Sequence, residues 1–193
     1  MCPMVRRPPG MELALLGFLR PGPQHGYQIH VLLSDPAGLG PIWRLKQSQL
    51  YALLTKLEKD GYIWGELEPQ AAAARPPRRM YQLTITGQTA FQNWLRTPVN
   101  VPRLMRQEFM AKYYFARLEG QAQVKVLIDL QRATCLQWLD ALHAEQATET
   151  SFSRTVYRYR LGQMEAALAW LDTCQQERLG LIITGDFSAP GFD

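Results

Sequence analysis

A run of polar and basic side chains begins at position 46, where the pattern predicts the start of a helix. An apolar stripe of leucines follows at 50, 53, 54 and 57 on one side of that helix. The opposite side carries hydrogen-bond donors and acceptors of the kind that contact base edges, and the helix N-terminus offers N–H groups to phosphate. We interpret it as a polyanion-binding face, the alternative being a solvent-exposed face. Its candidate contact residues are Lys46, Gln47, Ser48, Gln49, Thr55 and Lys56.

A second group of basic side chains lies between two strand-like segments, residues 62–68 and 78–84. The connection 69–77 is rich in proline and alanine and is longer than a tight hairpin turn. No acidic residue stands between Glu68 and Glu108 to offset the positive charge. We therefore predict a β-hairpin with a positively charged tip that contacts phosphate, the alternative being a solvated loop. The arginines concerned are Arg75, Arg78 and Arg79.

The elements around these residues follow a recognisable order. Residues 11–19 and 25–34 are short amphipathic helices punctuated by proline and glycine, and residues 47–60 form a third helix with Gly61 as its C-cap. After the hairpin, Thr84 or Thr86 caps a fourth helix that runs to Arg96. Three helices followed by a hairpin within about 85 residues form the pattern of a winged helix-turn-helix.

The second half of the sequence consists of long helices, predicted at 102–118, 121–149 and 153–179. Apolar residues in the last two alternate three and four apart, as in a coiled-coil seam. We expect an antiparallel helix pair that packs on itself and on a second subunit, although a monomer would also bury such a seam. The predicted dimerisation residues are Val124, Ile128, Cys135, Trp138, Leu142, Tyr157, Leu161, Met164, Leu168 and Leu171.

Aromatic residues are frequent in this helical half. They either line a pocket for a small aromatic or lipophilic effector or form ordinary core and interface packing. The candidate pocket residues are Phe109, Tyr113, Trp138 and Trp170.

Composition narrows the functional classes. The 193 residues are 47% hydrophobic and 20% charged, with a net charge of +4, which is typical of a globular protein. Residues 1–96 hold 11 Lys and Arg against 6 Asp and Glu, so the positive charge belongs to the first half. No apolar stretch is long enough for a membrane span and no secretory signal is evident, so we expect a cytoplasmic protein.

Catalytic and metal-binding signatures are not found. The three cysteines, Cys2, Cys135 and Cys174, have no metal-ligand spacing, and no phosphate-binding loop, dinucleotide fingerprint or nucleophile motif occurs. We therefore predict a protein that is not an enzyme and needs no metal or cofactor. The expected fold is mainly α: an arm at 1–10, a winged helix-turn-helix domain at 11–97, a helical dimerisation domain at 98–183 and a tail at 184–193.

Five segments in the first half, in the same order, give the chain a family resemblance. The sequence from Leu13 to Leu95 resembles the PadR-type transcriptional regulators, whose pattern includes G-P-x-H-G-Y, L-Y-x-x-L-x-x-L-E-x-x-G-x-I and Y-x-L-T-x-x-G. The second half resembles the family's helical C-terminal domain more loosely. The matching segments are Ala14–Leu19, Gly22–Tyr27, Leu50–Ile63, Tyr81–Gly87 and Trp94–Leu95.

The resemblance implies a homodimer with two heads that bind double-stranded DNA, usually a repressor relieved by a small molecule. It also implies that the start of the third helix and Tyr51 face DNA, with packing of Tyr51 against the wing as the alternative. The family often has Ser where this chain has Lys46. A different class of function stays open: a winged-helix interaction module whose basic face docks an acidic protein partner.

Overall fold

The structure, a computed structural model, describes residues 10–67, 79–144 and 151–178. They divide into two compact units, one ending at Leu95 and the other beginning at Arg96. The fold is mainly α-helical with one small antiparallel sheet, as the sequence predicted. Among the described residues, no helix is both long enough and apolar enough to cross a membrane. Residues 1–9 of the predicted arm at 1–10, and all of the predicted tail at 184–193, lie outside the described residues.

The first unit begins with a buried helical segment. The predicted helix at 11–19 is a 3-10 turn followed by one short α-helix, because Pro21–Pro23 ends it before a longer helix can form. A two-residue strand then follows that the sequence pattern did not predict. The elements are the 3-10 turn Met11–Leu13, α1 Ala14–Gly17, β1 Gln24–His25, α2 Gly26–Ser34, α3 Gln47–Lys59, β2 Ile63–Leu67, β3 Arg79–Leu83 and α4 Ile85–Arg96.

Helix α3 forms as its leucine stripe predicted. Leu50, Leu54 and Leu57 are buried in the core of the unit, while the opposite side of the helix is exposed. The helix ends at Lys59 with Asp60 as its C-cap, and Gly61 follows with a φ of +77°, which is favourable for glycine. The N–H of Tyr62 donates to the carbonyl of Leu57, so Gly61, predicted as the C-cap, lies one residue after the cap and closes the helix end.

The sheet has the strand order β1-β3-β2, with both pairs antiparallel. Gly65 lies opposite Tyr81 in the β2–β3 hairpin, and Gln24 of β1 pairs with Tyr81 on the other side. We call strands β2 and β3 with their connection the wing. The connection, residues 68–78, lies outside the described residues.

The wing is joined to α4 at a close approach between Gly87 and Tyr62. A Cβ at position 87 would lie 1.9 Å from the carbonyl oxygen of Tyr62, so only glycine fits there. Thr84 caps α4 by accepting the N–H of Gly87 at 2.9 Å, and its hydroxyl donates to the carbonyl of Gly61 at 2.8 Å. Of the two predicted caps, Thr84 is confirmed.

The second unit contains three helices after a 3-10 turn. Gly120, with φ of +109°, separates the first two helices. Helices α6 and α7 lie along each other, and Arg132 Nε donates to Asp172 Oδ1 at 2.9 Å between them. The elements are the 3-10 turn Pro102–Arg106, α5 Glu108–Glu119, α6 Gln121–Ala144 and α7 Ser151–Arg178.

The predicted seam of α6 and α7 is packed within one chain. Its fully buried members therefore contact the chain's own helices, and only the partly exposed members leave surface for a second subunit. The buried members are Val124, Ile128, Cys135, Met164 and Leu171, and the partly exposed members are Trp138, Leu142, Tyr157, Leu161 and Leu168.

Candidate nucleic-acid interface

The first turn of α3 presents four consecutive exposed residues, Lys46, Gln47, Ser48 and Gln49. The side-chain oxygen of Gln49 accepts the backbone N–H of Lys46 at 2.9 Å. This bond satisfies the backbone N–H of the cap residue in the way that the Glu or Gln of a capping box does, while the N–H of Gln49 donates to the carbonyl of Lys46 at 3.0 Å. The amide NH2 of Gln49 keeps its donors, whereas its oxygen is already engaged.

Tyr51 is held by the beginning of α2. A Cβ at Gly26 would lie 2.6 Å from a carbon of the Tyr51 ring, so the ring lies directly against the glycine backbone. The ring remains 37% exposed. The structure shows the Tyr51 ring packed on Gly26, while both roles considered from the sequence, phosphate contact and packing against the wing, stay predictions.

Two further predicted contact residues of α3, Thr55 and Lys56, are exposed but already engaged. The Thr55 hydroxyl donates to the carbonyl of Tyr51 at 2.9 Å, and Lys56 Nζ lies 2.5 Å from Glu12 Oε1. Burial raises the pKa of Glu12, but the hydrogen bond and charge of Lys56 outweigh it, so its pKa falls below the ordinary value. The bond from Glu12 raises the pKa of Lys56. The positive charge of Lys56 is therefore shared with this carboxylate.

Arg79 is the first residue of β3 and lies opposite Leu67, at the end of the hairpin next to the connection. Its guanidinium pairs with Glu58 of α3 at 2.5 Å and lies 5.8 Å from the centre of the Tyr81 ring. The same Glu58 oxygen accepts the N–H of Gly65 at 3.0 Å. A Cβ at Gly65 would lie 2.4 Å from Arg79 Nε, so glycine leaves room for the arginine. The two other wing arginines, Arg75 and Arg78, lie outside the described residues.

Two residues contribute to this surface that the sequence reasoning did not single out. Glu58, part of the L-E-x-x-G pattern, joins α3 to both strands of the wing through Arg79 and Gly65. Arg44 is exposed two residues before Lys46, and its Nε donates to the carbonyl of Gly40 at 3.3 Å. The basic residues that precede α3 were a signal for Arg44 in the sequence.

The candidate effector residues of the second unit fall into two groups. Phe109, Tyr113 and Trp170 pack on one another, with ring centres 5.7–6.5 Å apart, and Phe109 is fully buried. Trp138 instead lines a cavity of about 570 Å³ beside Tyr159. The other lining residues are Val101, Pro102, Arg103, Ala141, Leu142, Arg160, Gln163 and Met164.

Metal-ligating side chains do not gather at either place. The described parts of the chain contain no group of three or more His, Cys, Asp or Glu that could hold a metal ion.

Comparison with known proteins shows what one part of this chain is similar to. Residues 15–93 match the model of the transcriptional regulator PadR-like family. The matched range contains α2, α3, the wing and most of α4. It also contains all the predicted DNA-contact residues.

Individual relatives match as well. The chain is 34% identical over 105 residues to the negative transcriptional regulator PadR of Bacillus subtilis, an alignment that covers 54% of this chain and 56% of the relative. The crystal structure of Bacillus subtilis PadR in complex with operator DNA matches with a TM-score of 0.43 and 25% identity, over 87% of this chain and 98% of that chain. The same protein in complex with p-coumaric acid matches with a TM-score of 0.38 and 27% identity, over 87% and 94%. Residues 15–93, about two fifths of the chain, are therefore similar to the PadR-like family of transcriptional regulators.

Proposed function

We propose that this chain is a sequence-specific DNA-binding regulator that inserts the start of α3 into the major groove. The observation that carries the proposal is the exposed first turn, residues 46–49, in which four polar or basic side chains stand side by side. Such a turn brings donors and acceptors to base edges while the core side of the helix stays buried. The similarity of residues 15–93 to a family of transcriptional regulators supports it.

Phosphate contacts supply the sequence-independent part of the binding in this proposal. Arg44, Lys46 and Lys59 are exposed basic residues on or just before α3, and the wing adds Arg75 and Arg78. Each phosphate neutralised releases condensed counterions, so the logarithm of affinity falls by about 0.9 for each tenfold rise in salt per contact. The slope of the logarithm of affinity against the logarithm of salt concentration, measured between low and moderate salt, therefore gives the number of these contacts.

The regulator acts as a homodimer in this proposal, with a second copy covering the outer face of α6. Val126, Leu130 and Ala133 are exposed and lie on one side of that helix, which is an unusual place for apolar residues in a monomer. A two-fold symmetric dimer presents two α3 helices to a two-fold symmetric site. The Bacillus subtilis relative is described as a negative regulator, and we propose repression here too. The proposal places the protein in the cytoplasm and assigns it no catalytic step.

Selection of duplexes from a random library with the full-length protein, followed by footprinting, tests the proposal. The expected result is an enriched site with two-fold symmetry. A protein that docks an acidic partner through the same basic face would bind duplexes without enriching any sequence. Val126→Glu tests the dimer, because it places a charge on the outer face of α6. Gln121→Glu, at another exposed position of the same helix, is the control.

A small-molecule effector is the second candidate property, favoured by the cavity beside Trp138. Its lining combines two aromatic rings with Arg103 and Arg160, a combination suited to a planar aromatic molecule that carries a carboxylate. The test titrates such compounds against tryptophan fluorescence and DNA release together. Quenching with release, lost when Trp138 is replaced by Ala, is the expected result; quenching without release contradicts the regulatory role.

A further inference from the structure

Two buried polar side chains of the second unit hold the residues that lead into the cavity beside Trp138. Gln131, on α6, accepts the N–H of Val99 at 2.8 Å through its side-chain oxygen and donates to the carbonyl of Val99 at 3.4 Å. Lys112, on α5, donates through Nζ to the carbonyl of Thr97 at 2.7 Å. Gln131 is fully buried and Lys112 is 2% exposed. We call Lys112 and Gln131 the clamp.

The clamp fixes a stretch of buried backbone that belongs to no helix or strand. Val99 is buried there, so its N–H and carbonyl need a hydrogen-bond partner other than water, and the side chain of Gln131 bonds to both. Burial lowers the pKa of Lys112, because removing the ammonium group from water outweighs the opposing effect of Glu108. Two positions between helices thus carry polar side chains whose bonds go to the backbone of residues 97–99.

The held backbone continues directly into one side of the cavity. Residues 101–103 line the cavity, whose volume is about 570 Å³. Only Asn100 separates them from Val99. The 3-10 turn Pro102–Arg106 then leads the chain into α5. We call residues 101–103 the cavity wall, and the clamp holds the backbone immediately before it.

The clamp residue on α6 shares a helix face with other lining residues of the cavity. Trp138 and Leu142 stand seven and eleven residues after Gln131, and such positions lie along one side of a helix. At a rise of about 1.5 Å per residue, Trp138 lies about 10 Å further along α6 than Gln131. One buried amide therefore ties the backbone before the cavity wall to the helix that carries the indole ring of the cavity.

We propose that Lys112 and Gln131 are positioning residues of the effector cavity, which hold residues 101–103 where Arg103 pairs with the carboxylate of a planar aromatic ligand. This inference rests on the proposed function and concerns the second unit alone. A guanidinium binds a carboxylate through two parallel hydrogen bonds, so a displacement of about 1 Å in the wall weakens the pairing. Without the clamp, the ligand would have to order the wall as it binds, at a cost in affinity.

The test measures the binding of two probes to the full-length protein by isothermal titration calorimetry. One probe is 2-naphthoate, which is planar and aromatic and carries a carboxylate; the other is 2-naphthamide, which has nearly the same shape without the charge. Gln131→Met and Lys112→Met remove the clamp interactions and keep a similar side-chain volume. Gln137→Met and Lys125→Met are the matched controls, because both residues are exposed on α6. Arg103→Met removes the proposed ligand contact itself.

The expected result separates the two probes. The clamp variants bind 2-naphthoate at least about tenfold more weakly than the wild type, whereas 2-naphthamide loses at most about threefold. The ratio of the two affinities falls to the ratio measured for Arg103→Met. Adding Gln131→Met to Arg103→Met causes little further loss for 2-naphthoate, because both changes remove the same contact. The control variants keep the wild-type ratio.

Three other results have distinct meanings. Clamp variants that keep the wild-type ratio of affinities, or that lose both probes by the same factor, overturn the inference, since the clamp then serves only the stability of the helices. Wild-type protein that binds both probes equally overturns it too, because Arg103 then makes no ligand contact. Wild-type protein that binds neither probe contradicts the effector cavity of the proposed function, and the inference falls with it.

Should the clamp variants fail to fold, amide exchange of the wild-type protein gives the answer. A ligand that binds better to the clamped wall must by reciprocity stabilise the clamp. Exchange of the Val99 N–H is therefore expected to become slower when 2-naphthoate saturates the protein. The N–H of Tyr62 in the first unit is the control and should exchange at the same rate with and without the probe. An unchanged rate at Val99 overturns the inference.

Discussion

Glu58 of α3 holds Arg79 of the wing, and the same carboxylate oxygen accepts the N–H of Gly65 on the neighbouring strand. One side chain therefore joins the helix proposed to enter the major groove to both strands of the hairpin proposed to flank it. The helix and the hairpin of the proposed interface are therefore held to each other through Glu58. Arg79, which the sequence assigns to phosphate contact, is in the structure the partner of an acid on α3.

Glu58→Gln tests this relationship. The amide oxygen can still accept from Gly65, but the charge that neutralises Arg79 is gone, so DNA affinity is expected to rise at low salt and the salt slope to steepen by about one contact. The free energy of unfolding should fall by less than about 1 kcal/mol, because the ion pair is partly exposed. Fluorescence anisotropy at several salt concentrations measures the DNA affinity and its salt slope. A drop in affinity would mean that DNA binding requires Arg79 in the position where Glu58 holds it.

Gly26→Ala is expected to destabilise the first unit by roughly 1–3 kcal/mol, since the new methyl group would overlap the Tyr51 ring. The double variant Gly26→Ala with Tyr51→Ala should recover part of that loss, because the overlap disappears. Gly162→Ala is the control: nothing lies within 4 Å of its added carbon in α7, so stability should be unchanged or slightly higher. Urea unfolding provides the comparison, and additive losses in the double variant would contradict the contact.

Gln49 serves both as a cap and as a candidate base contact, and two substitutions separate these roles. Gln49→Glu keeps the oxygen that accepts from Lys46 but removes the amide donors and adds negative charge, so stability is retained while DNA binding weakens. Gln49→Ala loses the cap at about 0.5–2 kcal/mol of stability. It also relaxes preference at one base position by about 1–3 kcal/mol. Thermal unfolding and site selection on both variants measure the two effects.

Arg78→Ala gives the matching contrast from the wing. A phosphate contact carries no sequence information, so every duplex should be bound more weakly and by a similar factor. Binding constants of both variants for a panel of related sites compare the uniform loss expected of Arg78→Ala with the position-specific loss expected of Gln49→Ala. Uniform losses in both variants would show that α3 and the wing have been assigned the wrong roles.

The Glu12–Lys56 pair predicts an acid-sensitive contribution to stability. The folded-state pKa of Glu12 is below its ordinary value of 4.5, so the pair stabilises the fold fully above that value and loses its contribution as pH falls through the folded pKa. The difference in unfolding free energy between wild type and Lys56→Met should be under about 1 kcal/mol at neutral pH, because Lys56 is half exposed. It should vanish in acid. Urea titrations from pH 7 to pH 3 check this; a difference that grows in acid would contradict the pairing.

Hydrophobic spacing in the sequence was sufficient to predict α3, the wing strands and the long C-terminal helices. Each of these elements has its hydrophobic period or its capping residue within its own stretch of sequence. Gly61 and Thr84 are examples: both act on residues adjacent in the chain or across one turn. The two-residue strand β1 was not predicted, since Gln24 and His25 become a strand only by pairing with β3.

The parts of the candidate site that could not be predicted depend on which side chains meet across the fold. Charge alone placed Arg79 with the phosphate contacts, because nothing in the spacing shows that Glu58 reaches it. For the same reason the sequence did not show that the four candidate effector residues of the second unit fall into two groups. Periodicity gives the face of a helix on which Trp138 or Trp170 lies, but not the partner against which it packs. Buried Lys112 is likewise invisible in a pattern that assigns lysine to the surface.

The approach of Gly87 to the Tyr62 carbonyl has a consequence for how freely the wing can vary. The register of the hairpin is fixed by its described strands, through this contact and through the pairing of Ile63 with Leu83 next to α4. Lengthening the connection costs little, since doubling a flexible loop adds only about 0.6 kcal/mol of closure entropy. Loops of different length and charge can therefore be exchanged at the tip to retune DNA affinity without redesigning the domain.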